Sequence, residues 1–143
     1  MHNLGPVTPR FFRILWLSSA VLVACGGEEN RPATWSYISP AIIQPNCATS
    51  SCHSRGSAVA GLDLSTAKKG FDGLMKQKLA PNATLPTRMD FPRQLIIPGN
   101  PVESRVVNMM RAIGSNRMPP DRPLAEADIA LVEEWILLGA HND

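Results

Sequence analysis

The side chains best suited to chemistry are a thiol pair and an imidazole. Cys47, Cys52 and His53 fall within seven residues, in the stretch Asn46-Cys-Ala-Thr-Ser-Ser-Cys-His53. Thiolate and imidazole are soft-to-borderline metal donors, and two thiols can instead oxidise to a disulfide. A structural zinc site asks for four donors, usually in two separated pairs. Past residue 24 the only cysteines are Cys25, Cys47 and Cys52, and the only histidines are His53 and His141. With Cys25 used elsewhere, as argued below, zinc would need all four others, and adjacent Cys52 and His53 make joint tetrahedral ligation awkward. A Cys47–Cys52 disulfide is the plainer arrangement. The four residues between the two cysteines permit the Cα separation a disulfide needs. So short a loop stabilises by only on the order of 2 kcal/mol, and His53 is then a surface histidine without a chemical role.

A third arrangement uses all three side chains. Two thiols can add across the vinyl groups of a porphyrin, and the histidine that follows can ligate the iron. The familiar spacing is C-x-x-C-H. Here Ala48-Thr49-Ser50-Ser51 separate the cysteines, giving C-x4-C-H. All four are small, so two additional residues can loop out while both sulfurs reach the ring. A six-coordinate haem also needs a second axial ligand, commonly a methionine well downstream. Met118 lies 65 residues after His53, in Arg117-Met118-Pro119-Pro120, where prolines stiffen the loop that must hold a weak thioether. Met109 and Met110 fall in a helical apolar pattern and read as core. Met75 and Met89 lack a rigid setting. With both axial positions filled there is no open coordination site, so the implied chemistry is electron transfer rather than catalysis.

The N-terminus bears on which of these chemistries is available. Arg10 and Arg13 precede an apolar run, Ile14 to Val23, that is too short to span a bilayer as a mature helix. Leu22-Val23-Ala24-Cys25 ends it, and small residues just before a cysteine resemble the bacterial lipobox. The expectation is a signal peptide over 1–24, a diacylated Cys25, a tether over 25–34 without periodicity, and one domain over 35–143. That route leads to an oxidising compartment, where two free thiols would not persist. Gly26 rather than Asp after Cys25 leans towards the outer membrane by the enteric sorting rule. Removing 1–24 removes Arg10 and Arg13 and no acid, so Lys+Arg falls to 12 and equals Asp+Glu at 12. A formally neutral domain has no basic face for nucleic acid. Its aromatics are few: Trp35, Tyr37, Phe71, Phe91 and Trp135.

The elements that must position these residues read as helices. Ser39-Pro40 resembles an N-cap with proline at the first helical position, leading into the cysteine pair, and Pro45 should kink or stop that helix. Residues 66–79 should be helical in part, with Lys68, Lys69, Lys76 and Lys78 as a solvated basic face rather than a docking patch. Residues 80–98 read as an extended surface excursion. Asn100, Pro101 and Glu103 form a capping-box signature before Val102, Val106, Met109, Met110 and Ile113, and Gly114 closes that helix. Glu126 to Leu138 is the clearest element, with acids in its first turn, Ile129, Val132 and Ile136 on one face, and Gly139 as a stop. No strand pattern is present. The class is all-α with long loops.

In this order, "SPAIIQPNCATSSCH", "GLDL", "IIPGNPVESRVV", "RMPP" and "LVEEWILLGA" resemble the class I cytochrome c fold. They are similar in particular to the small cytochrome c-like domains in lipoproteins of myxobacteria and planctomycetes. The resemblance covers residues 37–141. It implies a lipid-anchored monohaem electron carrier on the periplasmic side of a bacterial membrane, serving periplasmic redox proteins. It also implies one covalent haem c on Cys47 and Cys52, with His53 and Met118 as axial ligands and Trp135 packed where the terminal helices cross. The sequence departs from the family pattern in its cysteine spacing, in Pro45, and in residues 71–95, which have no counterpart. The rival reading is a haem-free lipoprotein stapled by Cys47–Cys52 and acting as a binding or structural module.

Overall fold

A computed structural model describes residues 30–76 and 94–143. Cys25, Lys78, Met89 and Phe91, with the signal and most of the 80–98 excursion, lie outside the described residues. Every regular element among the described residues is helical, and none is a strand. No described helix is long and apolar enough to cross a membrane.

The first helix, α1, runs unbroken over 35–47. It is α-helical at Trp35–Ile38, π-helical at Ser39–Ile43 and α-helical again at Gln44–Cys47. Two sequence expectations are corrected here. Ser39 does not cap a helix start. It is buried inside α1, where its hydroxyl accepts a hydrogen bond from Gln44 Nε2 at 3.0 Å. Pro45 does not stop the helix either. In an α-helix its ring would press on the Ala41 carbonyl, and it offers no N–H. The chain widens by one residue per turn instead, so that Gln44 N–H reaches Ser39 O. Such π segments absorb local conflicts of this kind without ending a helix.

The true start of α1 is capped from far along the chain. Thr34 occupies the cap position without a side-chain bond. Asp143 Oδ1 accepts the Trp35 and Ser36 N–H groups at 2.7 and 3.2 Å. The last residue thus satisfies donors that a helix start leaves open.

Helix α2 covers Ala67–Lys76, as expected. Its lysines are paired rather than free: Lys68 and Lys76 both reach Asp72, and Lys69 reaches Asp63. Helix α3 is Arg105–Arg111, later and shorter than the pattern predicts. One capping-box bond does form, Glu103 N–H on Asn100 Oδ1 at 3.1 Å, but it closes a turn ahead of the helix, and the Glu103 carboxylate accepts from Asn100 Nδ2 rather than from the Asn100 backbone N–H. Val102 and Ile113 are therefore exposed rather than packed. Leu95 and Ile96 are buried, so this end of the expected surface excursion is core. Helix α4, Glu126–Leu137, has Glu126 and Asp128 in its first turn, where acids favour the helix dipole. Gly139 follows in the left-handed region at φ 104°.

The core centres on the α1–α4 contact. Trp35 and Trp135 stack at 5.0 Å, and Phe71 of α2 meets both edge-on at 6.0 and 6.4 Å. Each indole N–H donates to a carbonyl at 2.9 Å, Trp35 to Ala67 and Trp135 to His141. Ile38, Ile42, Val132 and Ile136 pack around them. Arg111 ties α3 to α4 through Glu126 and Glu133.

Candidate functional site

Helix α1 delivers Cys47 as its last residue, and Ala48 leaves the helix. The four small residues then fold back on themselves. Cys52 N–H donates to Thr49 O, and His53 N–H donates to Cys47 O, both at 3.0 Å. This closure draws Cys52 and His53 against the end of α1. The long spacing therefore forms a turn. Both cysteines are free thiols and partly buried. Burial, with Cys52 close by, pushes the Cys47 thiol up to about 11.

His53 is held by backbone. Its Nδ1 lies 3.1 Å from Val59 O and 3.3 Å from Leu62 O. A carbonyl only accepts, so Nδ1 is the donor, and in the neutral ring Nε2 keeps the lone pair. Metal-binding histidines are commonly oriented in this way. The turn that aims these carbonyls is strained, with Ala58 and Ala60 in the left-handed region at φ 36° and 56°. It is knit back to the motif by Val59 N–H on Cys52 O and Leu64 N–H on His53 O, at 3.0 and 2.7 Å.

Met118 arrives from the loop before α4. Its N–H donates to Met109 O at 3.0 Å. The neighbouring Arg117 side chain clasps the carbonyls of Pro119 and Pro120 at 3.2 and 3.1 Å. The two adjacent prolines and this clasp give the methionine a fixed seat.

Cys47, Cys52, His53 and Met118 all line one cavity of about 210 Å³ with walls almost wholly apolar. The four residues singled out from sequence are thus brought together, while Cys25 lies outside the described residues. The cavity is smaller than the roughly 300–1,000 Å³ usual for ligand pockets. The fit to haem rests on the donors and the apolar walls rather than on volume. Two thiols suit thioether attachment, an oriented imidazole and a seated thioether suit iron, and Leu62, Leu64 and Leu95 offer an apolar lining. The zinc arrangement is not assembled. His141 sits beside Gly139 at the end of α4, away from this lining, and no three His, Cys, Asp or Glu side chains group as a cation cage among the described residues.

Sequence reasoning missed some of the lining. Met110 is core, as read, but it and Met109 also reach the cavity. Arg105 does too. It is 8% exposed, and burial lowers its guanidinium from the ordinary value. The only sequence signal for it was a cation placed beside Val106 in an apolar helical pattern. No family model, curated protein or solved structure matches this chain.

Proposed function

We propose that this chain is a lipid-anchored monohaem c-type electron-transfer protein with a class I cytochrome c-like fold. The observation that carries the reading is the convergence on one apolar cavity of Cys47, Cys52, His53 and Met118, two distant pieces of sequence. Cys47 and Cys52 hold the group covalently. His53 offers Nε2 because Nδ1 is committed to the Val59 and Leu62 carbonyls. Met118 offers its thioether from a loop braced by Arg117. The leucines of the lining exclude water. Haem bound there supplies a reversible one-electron couple at iron. A methionine ligand holds the potential above that of a bis-histidine pair. The lipid half of the reading rests on the signal-like run and the small residues before Cys25. It places the domain on the periplasmic side of a bacterial membrane among periplasmic redox proteins.

The test is a pyridine haemochrome spectrum of the mature protein, expressed with its signal in a host competent for cytochrome c maturation and denatured before reading. A c-type spectrum retained on the polypeptide is expected. A colourless protein without free thiols establishes the Cys47–Cys52 disulfide instead, and with it a haem-free binding or structural module.

A further inference from the structure

A permanent charge is built into the wall of the apolar cavity. Arg105 opens α3 and lines the gap, although only 8% of it is exposed. Among the described residues of the lining it is the sole fixed cation, and none is an acid. Its place is set by backbone. The Arg105 and Val106 N–H groups donate to the Gln94 and Leu95 carbonyls at 3.3 and 3.0 Å, which pins the start of α3 beside buried Leu95.

The spacing along α3 gives this charge a position relative to the other donors. Arg105 and Met109 both line the cavity, and residues four apart share one face of a helix. Met109 supplies the carbonyl that holds Met118 N–H. Arg105 stands one turn back, about 6 Å along the axis, and helical side chains lean further towards the N-terminus. The thioether and the cation thus come from successive turns of one wall.

A guanidinium stays charged in a protein and carries five N–H donors. A carboxylate takes two of them as a parallel pair, a match of shape as well as of charge. Keeping such a charge out of water is costly unless anions or acceptors face it. Apolar walls strengthen any ion pair that forms between them. The lining brings no carboxylate of its own, so the matching anion is a part of the ligand.

We infer that Arg105 is the carboxylate seat of the cavity, whose ligand is an apolar molecule carrying a carboxylate. For the identity of that ligand this rests on the haem-bearing reading above, where the carboxylate is a propionate.

The test compares haem with haem dimethyl ester, which has no free carboxylate. Both are titrated by visible absorbance into the full chain carrying Cys47→Ser and Cys52→Ser, so that the ring is exchangeable. Haem should bind about ten- to a hundredfold more tightly than the diester, the effect of one charged hydrogen-bonded pair. Arg105→Met, apolar like the walls, should remove that difference. Arg105→Lys, which keeps the charge without the fork, should restore part of it. If Arg105→Met does not fold, the diester comparison and Arg105→Lys still decide. In the covalent holoprotein, the propionate bending band of the resonance Raman spectrum should shift in Arg105→Met and return part of the way in Arg105→Lys. Equal affinity for haem and diester, or a band that Arg105→Met leaves in place, overturns the inference while the pigment upholds the electron-carrier reading. A native chain without pigment removes that reading, and cis-parinaric acid against its methyl ester then decides the inference. Binding of the acid alone, lost in Arg105→Met, keeps the carboxylate seat with a fatty acid in place of haem. Equal binding of acid and ester, or none of either, overturns it.

Discussion

Helix α1 joins two regions that differ in how they are finished. At its N-terminal end, Trp35, Trp135 and Phe71 fill the space between three helices, and both indole N–H groups are satisfied by carbonyls. At its C-terminal end, the packing stops short and leaves a cavity. The residues at the edge of that gap are two thiols, an imidazole with one nitrogen committed, and a thioether. A closed core is explained by its own burial. An apolar cavity walled by ligand-type side chains is where the proposed haem would sit.

The largest effect expected at the cavity end is all-or-none. Cys47→Ser with Cys52→Ser should abolish covalent pigment while circular dichroism still reports a helical chain. Equal pigment in the double variant would mean that the motif does not attach haem. At the closed end the effect is on stability. Trp135→Ala removes a buried indole, a change that typically costs about 3–5 kcal/mol. Urea unfolding should show that loss, with covalent pigment still attached wherever the chain folds during maturation. The two regions would then be separable, one by colour and one by denaturant midpoint.

An intermediate effect is expected at Met118. Met118→Ala should leave the thioether links intact, lower the reduction potential and let the reduced protein bind carbon monoxide. An unchanged spectrum would remove Met118 from the iron and point to another donor. If the native reduced protein already binds carbon monoxide readily, Met118 leaves the iron easily, as in a sensor or peroxidase-like domain.

The same division governs what the sequence made legible. Helix α4 was readable because its signals are local: acids in the first turn, a buried stripe from Ile129 to Ile136, and Gly139 as the stop. The start of α1 was not, because its cap is Asp143, 108 residues away. Ser39-Pro40 imitated a cap while sitting inside a π segment that only the whole helix could accommodate. Asn100 and Glu103 made one of the two predicted capping-box bonds, and around a turn, since Ser104 is drawn inward to accept Ile97 N–H at 2.8 Å. That Cys47, Cys52, His53 and Met118 belong together was legible by chemistry and spacing. Arg105 was not, because its burial depends on neighbours distant in sequence.

The smallest effect expected concerns acid, and it too distinguishes the two regions. Asp63 accepts bonds from Lys69, from the Ser65 hydroxyl and from Ser65 N–H, and these hold it down at about 2. Asp72, between Lys68 and Lys76, is likewise held at about 2. An unfolded chain titrates its aspartates near about 3.9. The folded state therefore binds these protons less readily, so the contribution of both carboxylates is complete above that value and is lost as pH falls through about 2. Asp63→Asn and Asp72→Asn should each lower stability slightly at neutral pH and flatten the fall across that window by the same small amount, because exposed ion pairs contribute little. Only Asp63 stands between two leucines of the cavity lining, Leu62 and Leu64. Asp63→Asn should therefore also shift the acid transition of the pigment spectrum, whereas Asp72→Asn should move the unfolding curve alone. If both substitutions moved the spectrum equally, the α2 face and the cavity would be one cooperative unit, and the separation between the two ends of α1 would not extend to α2.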